Sequence, residues 1–253
     1  MLQKFRSGRF ARVCGLGHFL PFFVRHAAYQ KFDGIWLDLE HRAMDTREVQ
    51  AIVAMCHRYD VDCMVRTPTL ERTGLYRYLE EGASGFLVPL ISDVETARQV
   101  VDAAKFPPVG NRGIDGAGLD GDYTLDAWKP GIDYCDDANR QTFILIQIET
   151  VQAIDQIEPI CALEGVDGLF IGPSDLSRRM AFAKGLTLEQ TIAKVAEVTR
   201  RHGKVWGITA GTLEDLSRFR KLGAQIVPRG GDFALAQHLA TTRKELDQVL
   251  DEA

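Results

Sequence analysis

Two carboxylates, Glu149 and Asp175, stand just past the ends of two apolar, β-branched runs, residues 143–148 and 166–171. Their separation, 175 − 149 = 26 residues, suits one parallel βα repeat, which puts both acids on the same rim of a parallel sheet. Two carboxylates with few nitrogens nearby suit a hard divalent cation, with water and substrate oxygens completing its shell. Further polar residues end other apolar runs: Asp38, Glu40 and His41, then Arg66, Thr209 and Arg229. His41 reads either as a general base oriented by Asp38 or as a structural histidine satisfied by Glu40. Arg66 reads either as a fixed positive charge for an anionic or enolate oxygen or as one half of an ion pair stiffening the rim. Gly172-Pro173-Ser174-Asp175 is a turn whose backbone N–H groups could hold a carboxylate. No lysine ends any of these runs, which leaves a Schiff-base mechanism without a nucleophile.

Positioning these residues on one rim requires strands that alternate with helices. Short apolar runs at 12–16, 34–39, 62–65, 85–88, 143–148, 166–171, 205–208 and 225–227 read as eight strands. Helical spacing follows at 19–31, from Thr46 as N-cap to about Arg58, and at 71–81, 93–105, 151–163, 186–202, 212–222 and 233–250. Eight βα units predict an α/β fold of the (β/α)₈ TIM-barrel type, a single domain over residues 1–253. The alternation pauses at about 106–137, rich in Pro, Gly and Asp, which reads as a long loop with short helical turns.

Composition narrows the partners. With 45% hydrophobic and 26% charged residues and a net charge of −5, the chain has material for a large core and no basic face for nucleic acid or anionic membrane. Small molecules are the expected partners. Five scattered cysteines without a CxxC pair predict reduced thiols, and no apolar run approaches the roughly 20 residues of a membrane span, so a cytoplasmic protein is expected.

The segments Phe32-Asp33-Gly34-Ile35-Trp36-Leu37-Asp38-Leu39-Glu40-His41, Val65-Arg66-Thr67-Pro68, Gln147-Ile148-Glu149-Thr150 and Gly172-Pro173-Ser174-Asp175 together resemble the HpcH/HpaI aldolase family of the phosphoenolpyruvate/pyruvate-utilising barrel superfamily. The resemblance implies a class II aldolase that reversibly cleaves 4-hydroxy-2-oxo acids to pyruvate, or a close 2-oxo acid, and an aldehyde. It implies that Glu149 and Asp175 bind Mg²⁺, Mn²⁺ or Co²⁺ and that Gln147 positions the 2-oxo acid. By the same resemblance, the backbone at Ser174 and Asp175 holds its carboxylate, Arg66 stabilises the enolate oxygen, and His41, backed by Asp38, is the acid/base. A homo-oligomer, with a hexamer suspected and the last helix at a subunit interface, is implied as well. The alternatives are a citrate-lyase-like carbon–carbon lyase or synthase acting on another carboxylate or thioester, and a barrel that binds a carboxylate without turnover.

Two segments depart from the family pattern: Cys14-Gly15-Leu16-Gly17-His18, where the family often has a tryptophan, and the acidic stretch 114–122. Both are expected on the acceptor side of the pocket. If the stretch leans over the mouth, Asp115, Asp120 and Asp122 disfavour an anionic aldehyde.

Overall fold

The computed structural model describes residues 1–251. Seven strands form one parallel sheet in sequence order: β1 (Val13–Leu16), β2 (Gly34–Asp38), β3 (Asp62–Arg66), β4 (Gly85–Val88), β5 (Phe143–Ile148), β6 (Gly168–Ile171) and β7 (Val205–Ile208). Alternation along each strand sorts the side chains onto two faces. Ile35, Leu37, Cys63, Val65, Ile144, Ile146 and Ile148 belong to the core between sheet and helices. Trp36, Met64, Leu87, Leu145 and Phe170 pack together on the other face, which curls upon itself. One step further along that inner face come Asp38, Arg66 and Gln147, so the period-2 pattern itself delivers the polar residues to the C-terminal ends of the strands.

Residues 225–231 reach both edges of the sheet without forming a regular strand. Ile226 bridges Gly207 on one side and Ala11 on the other, and Gly231 bridges Gly15. The continuous eighth strand expected at 225–227 is thereby corrected to isolated bridges. Pro228 has no N–H to give to a ladder, and Gly230 and Gly231 have positive φ values of 76° and 150°.

The first helix, α1 (Leu2–Arg6), was not foreseen: Met1, Leu2 and Phe5 are buried against the N-terminal ends of the strands, and Phe5 meets Phe143 edge-on at 5.3 Å. The N-terminal amine pairs with Asp62. The helices α2 (Pro21–Tyr29), α3 (Thr46–Arg58), α4 (Arg72–Glu80) and α5 (Val94–Ala104) follow their predicted positions. Thr46 is the first residue of α3 and Asp45 is its N-cap, closing a reciprocal capping box with Glu48.

The stretch 106–137 contains a 3₁₀ turn (Leu119–Gly121) and leads into α6 (Tyr134–Gln141). It packs under the N-terminal end of the sheet. Asp120 receives hydrogen bonds from Arg112 (2.7 Å) and Tyr134 (2.6 Å), and Leu119 lies against Gly82. Within the chain, then, this acidic segment does not lean over the mouth, and selection of the acceptor by its charge is withdrawn.

The helix expected at 151–163 is two, α7 (Val151–Asp155) and α8 (Ile157–Ala162). Pro159 cannot donate to the Asp155 carbonyl, and its ring would clash there in a continuous helix. After β6 the chain enters α9 (Pro173–Met180), then α10 (Leu188–Arg201), α11 (Leu213–Lys221) and α12 (Ala234–Asp251). No described helix is long and apolar enough to cross a membrane.

Candidate active site

Asp38 and Arg66 are register partners at the ends of β2 and β3, both on the inner face. Arg66 donates from Nε to Asp38 Oδ1 (2.9 Å) and from Nη2 to Asp38 Oδ2 (2.6 Å), while Nη1 lies 3.2 Å from Glu40 Oε2. Its guanidinium stands 4.9 Å over the Trp36 ring. A planar fork gripped on two edges and one face cannot swing, so its charge is preorganised. Burial pulls the Asp38 carboxyl upward, but the hydrogen bonds and charge of Arg66, with the His41 N–H and charge, overcome it and leave the pKa below the usual carboxylate range. Burial raises Glu40, helped by the negative charges of Glu149 and Asp38 and only partly offset by Arg66 and His41.

His41 is more than half exposed, with Nε2 3.6 Å from Glu40 Oε2. Its backbone N–H donates to Asp38 Oδ1 at 3.3 Å. Asp38 therefore holds the His41 main chain and the Arg66 fork, not the imidazole as expected. The acid beside the ring is Glu40, the neighbour that the structural reading of His41 named.

Glu149 follows β5 and is 2% exposed. Its Oε1 accepts from the Leu90 N–H at 2.6 Å and its Oε2 from Gln147 Nε2 at 2.5 Å. Leu90 has φ 58°, a left-handed conformation that costs a non-glycine residue free energy, and so it aims its N–H at this carboxylate. Nothing in the sequence marks Leu90. A Cβ on Gly172 would stand 3.0 Å from both Gln147 Nε2 and Glu149 Oε2, which explains the glycine there.

Arg179 donates from Nη1 to the Glu149 main-chain oxygen (2.7 Å) and brings Nη2 to 4.0 Å from Asp175 Oδ1. Thus Arg179 ties the end of β5 to α9. Asp175 and Ser174 lie in the exposed first turn of α9, whose N-cap Gly172 supplies no side-chain cap. Their N–H groups have no partner within the helix, the arrangement that receives a carboxylate.

Glu149 is a buried carboxylate whose hydrogen-bond partners are two neutral N–H donors, and the neighbouring Gln147 Oε1 is buried with no hydrogen-bond partner among the described residues. A buried carboxylate without a countercharge is costly, and a cation would relieve it. No group of three or more His, Cys, Asp or Glu side chains able to hold a metal occurs among the described residues. Two carboxylates whose shell is completed by water and substrate oxygens would suit Mg²⁺ or Mn²⁺ better than zinc.

Thr209 and Arg229, both expected at the mouth, line a cleft of about 440 Å³ with Gly15, Trp36, Ala210, Pro228 and Gly230. Trp36 connects this cleft to Arg66, since the ring that lines it also carries the guanidinium. A larger cavity, about 600 Å³, lies at the opposite end of the sheet beside Asp62, Ser84 and Thr142. None of the mouth's strand-end residues lines it.

Known proteins resemble this chain along most of its length. Residues 16–238 match the family described as HpcH/HpaI aldolase/citrate lyase. The chain is 32% identical over 255 residues to a hydroxypyruvate/pyruvate aldolase of Cupriavidus necator, covering 96% of this chain and 93% of that one. It is 32% identical to a 5-keto-4-deoxy-D-glucarate aldolase of Escherichia coli O157:H7, covering 85% and 84%. Among solved structures, an HpcH/HpaI aldolase from Desulfitobacterium hafniense superposes with a TM-score of 0.85 at 30% identity, covering 98% of this chain and 95% of that one.

Proposed function

The chain belongs to the HpcH/HpaI aldolase/citrate lyase family, and from that premise we propose that it catalyses the reversible aldol cleavage of 4-hydroxy-2-oxo acids to pyruvate, or a close 2-oxo acid, and an aldehyde. It is a carbon–carbon lyase of the pyruvate-aldolase type, as its relatives of similar length are. The observation that carries the reading at the site is Glu149: a buried carboxylate just past the end of β5 whose hydrogen-bond partners are the neutral N–H donors of Leu90 and Gln147.

The N–H groups of Ser174 and Asp175 bind the carboxylate of the 2-oxo acid, and Gln147 positions its keto group. Cleaving the C3–C4 bond sends an electron pair toward the 2-keto oxygen, where the fixed Arg66 guanidinium stabilises the growing charge. His41, beside Glu40, takes the C4 hydroxyl proton through water and returns it in the condensation direction. A divalent cation held by Glu149 and Asp175, Mg²⁺, Mn²⁺ or Co²⁺, would supply Lewis-acid stabilisation of the same negative charge.

We read the fold as a single-domain (β/α)₈ barrel in which residues 225–231 take the eighth strand's place. The bridges to Gly207, Ala11 and Gly15 support it. We read α12 as a subunit contact of a homo-oligomer, a hexamer by resemblance. Phe233, just before this helix, and Leu235, Leu239, Leu246, Val249 and Leu250 within it are each more than half exposed, and a lone helix of this length gains little stability in water without a surface to cover it. The five cysteines are free, which fits a reducing compartment, and we place the protein in the cytoplasm.

The test is pyruvate in D₂O with Mg²⁺, Mn²⁺ or Co²⁺. Loss of the methyl proton signal, condensation with added aldehydes, and abolition of both by a chelator are expected. A protein that neither exchanges these protons nor forms a condensation product would refute the activity.

A further inference from the structure

His18 lies just beyond β1, at the segment where the sequence departs from its family. Its Nδ1 is 2.7 Å from Asp232 Oδ2, across 214 residues of chain. The Asp232 side chain is 3% exposed and is itself held, accepting the Gly17 N–H at Oδ2 (2.9 Å) and the Phe233 N–H at Oδ1 (3.1 Å). The His18 ring packs on Phe233 with centroids 5.2 Å apart, and the Arg42 guanidinium stands 4.7 Å over the same Phe233 ring. Arg42 in turn fills the space above Gly17, where a Cβ would meet its Cγ at 3.0 Å. This His–Asp contact is 0.9 Å shorter (3.6 − 2.7) than the one between His41 and Glu40. The reaction outlined above gives it no task. Gly15, three residues before His18, and Ala234, next to Phe233, both line the 440 Å³ cleft.

We propose that His18, positioned by Asp232 and flanked by Arg42, binds the hydroxyl of the acceptor and makes this aldolase select an α-hydroxyaldehyde. The assignment rests on the aldolase reading above. An ionised carboxylate only accepts hydrogen bonds, so Nδ1 carries the proton in the pair and Nε2 is the ring atom left for the substrate. A hydroxyl matches this wall twice over, donating to Nε2 and accepting from the neighbouring guanidinium. A methyl group satisfies neither partner. Asp232 is a positioning residue here, since it acts through His18 and does not reach the substrate.

The experiment compares kcat/KM for addition of pyruvate to three aldehydes of similar size: glycolaldehyde, acetaldehyde and glyoxylate. Each rate is referred to the same preparation's rate of pyruvate methyl exchange in D₂O. The parent should prefer glycolaldehyde to acetaldehyde by about tenfold or more, the scale of one half-exposed hydrogen-bonding pair, and should also prefer it to glyoxylate. His18→Phe keeps an aromatic ring on Phe233 but no nitrogen, and should lose the preference. His18→Gln restores an acceptor at the reach of Nε2 and should recover part of it.

A preference that survives His18→Phe, or a parent that exchanges pyruvate protons yet treats glycolaldehyde and acetaldehyde alike, would overturn the assignment while leaving the aldolase intact. Preference for glyoxylate would show that Arg42 and Arg229 select a carboxylate and that His18 does not select a hydroxyl. Absence of pyruvate exchange in the parent would remove the aldolase reading and this assignment with it.

Discussion

Replacing Glu149 by glutamine should make the metal-free protein more stable while destroying its response to metal. The carboxylate is 2% exposed and its partners are the Leu90 N–H and Gln147 Nε2, both neutral donors. Removing a buried charge without a countercharge recovers part of a desolvation penalty of several kcal/mol. The replacement amide has one acceptor where the carboxylate had two, so one donor would be left facing an N–H. Gln147 resolves this by turning its own amide: its Oε1, without a partner in the parent, then accepts from the new side chain while Leu90 keeps its bond.

The net gain for Glu149→Gln is about 1–3 kcal/mol in the metal-free state, on the order of 2–10 °C in Tm for a chain of this size. Saturating Mn²⁺ should add about 2.7 kcal/mol to the parent at a hundred times the dissociation constant, and nothing to the variant. Glu149→Ala is the control, since it strands the Leu90 N–H and Gln147 and should destabilise the fold. Thermal melts of parent and variants, with chelator and with Mn²⁺, measure all of this. A Glu149→Gln protein that melts below the metal-free parent, or that keeps the full Mn²⁺ shift, would refute the reasoning that an uncompensated charge is held there for a cation.

Arg66→Lys should lower kcat by about 10²-fold, because one ammonium cannot keep the two bonds to Asp38, the approach to Glu40 and the stacking on Trp36 together; kinetics equal to the parent would reduce Arg66 to a structural ion pair. At alkaline pH, burial pushes the Cys14 thiol up to about 12 and the Cys161 thiol up to about 11, from an ordinary 9.0. A raised folded-state pKa gives stability that is complete below pH 9 and fades as pH rises toward the folded value. The Cys14 share of the loss is about 2 kcal/mol by pH 10.5, and denaturant titrations at pH 8.5 and 10.5 should show a smaller difference in Cys14→Ala than in the parent. Truncation after Phe233 should reduce the assembly to smaller species in sedimentation velocity, since the exposed leucines of α12 go with it; an unchanged assembly would place the subunit contact elsewhere.

What the sequence determined by itself was the set of features whose physics is local. Strand alternation has period two, so the apolar runs at 34–39, 62–65 and 143–148 announced which residues would emerge at the strand ends, and Asp38, Arg66, Gln147 and Glu149 are found there. The spacing of Glu149 and Asp175 announced a βα unit between them, and helix breakers placed most element boundaries within a few residues. Even the division of residues 151–163 was written locally in Pro159, though the apolar spacing masked it.

Tertiary structure decided every partnership between distant segments. Glu40 sits nearer the His41 ring than Asp38 does because the Arg66 fork, from another strand, claims both oxygens of Asp38. The Leu90 N–H reaches Glu149 only because a loop is held at positive φ. The acidic stretch at 115–122 turns toward the N-terminal end because Arg112 and Tyr134 hold Asp120 there. The His18–Asp232 pair joins the two ends of the chain. Such contacts form only after the sheet has curled, and no periodicity along the chain encodes that curl.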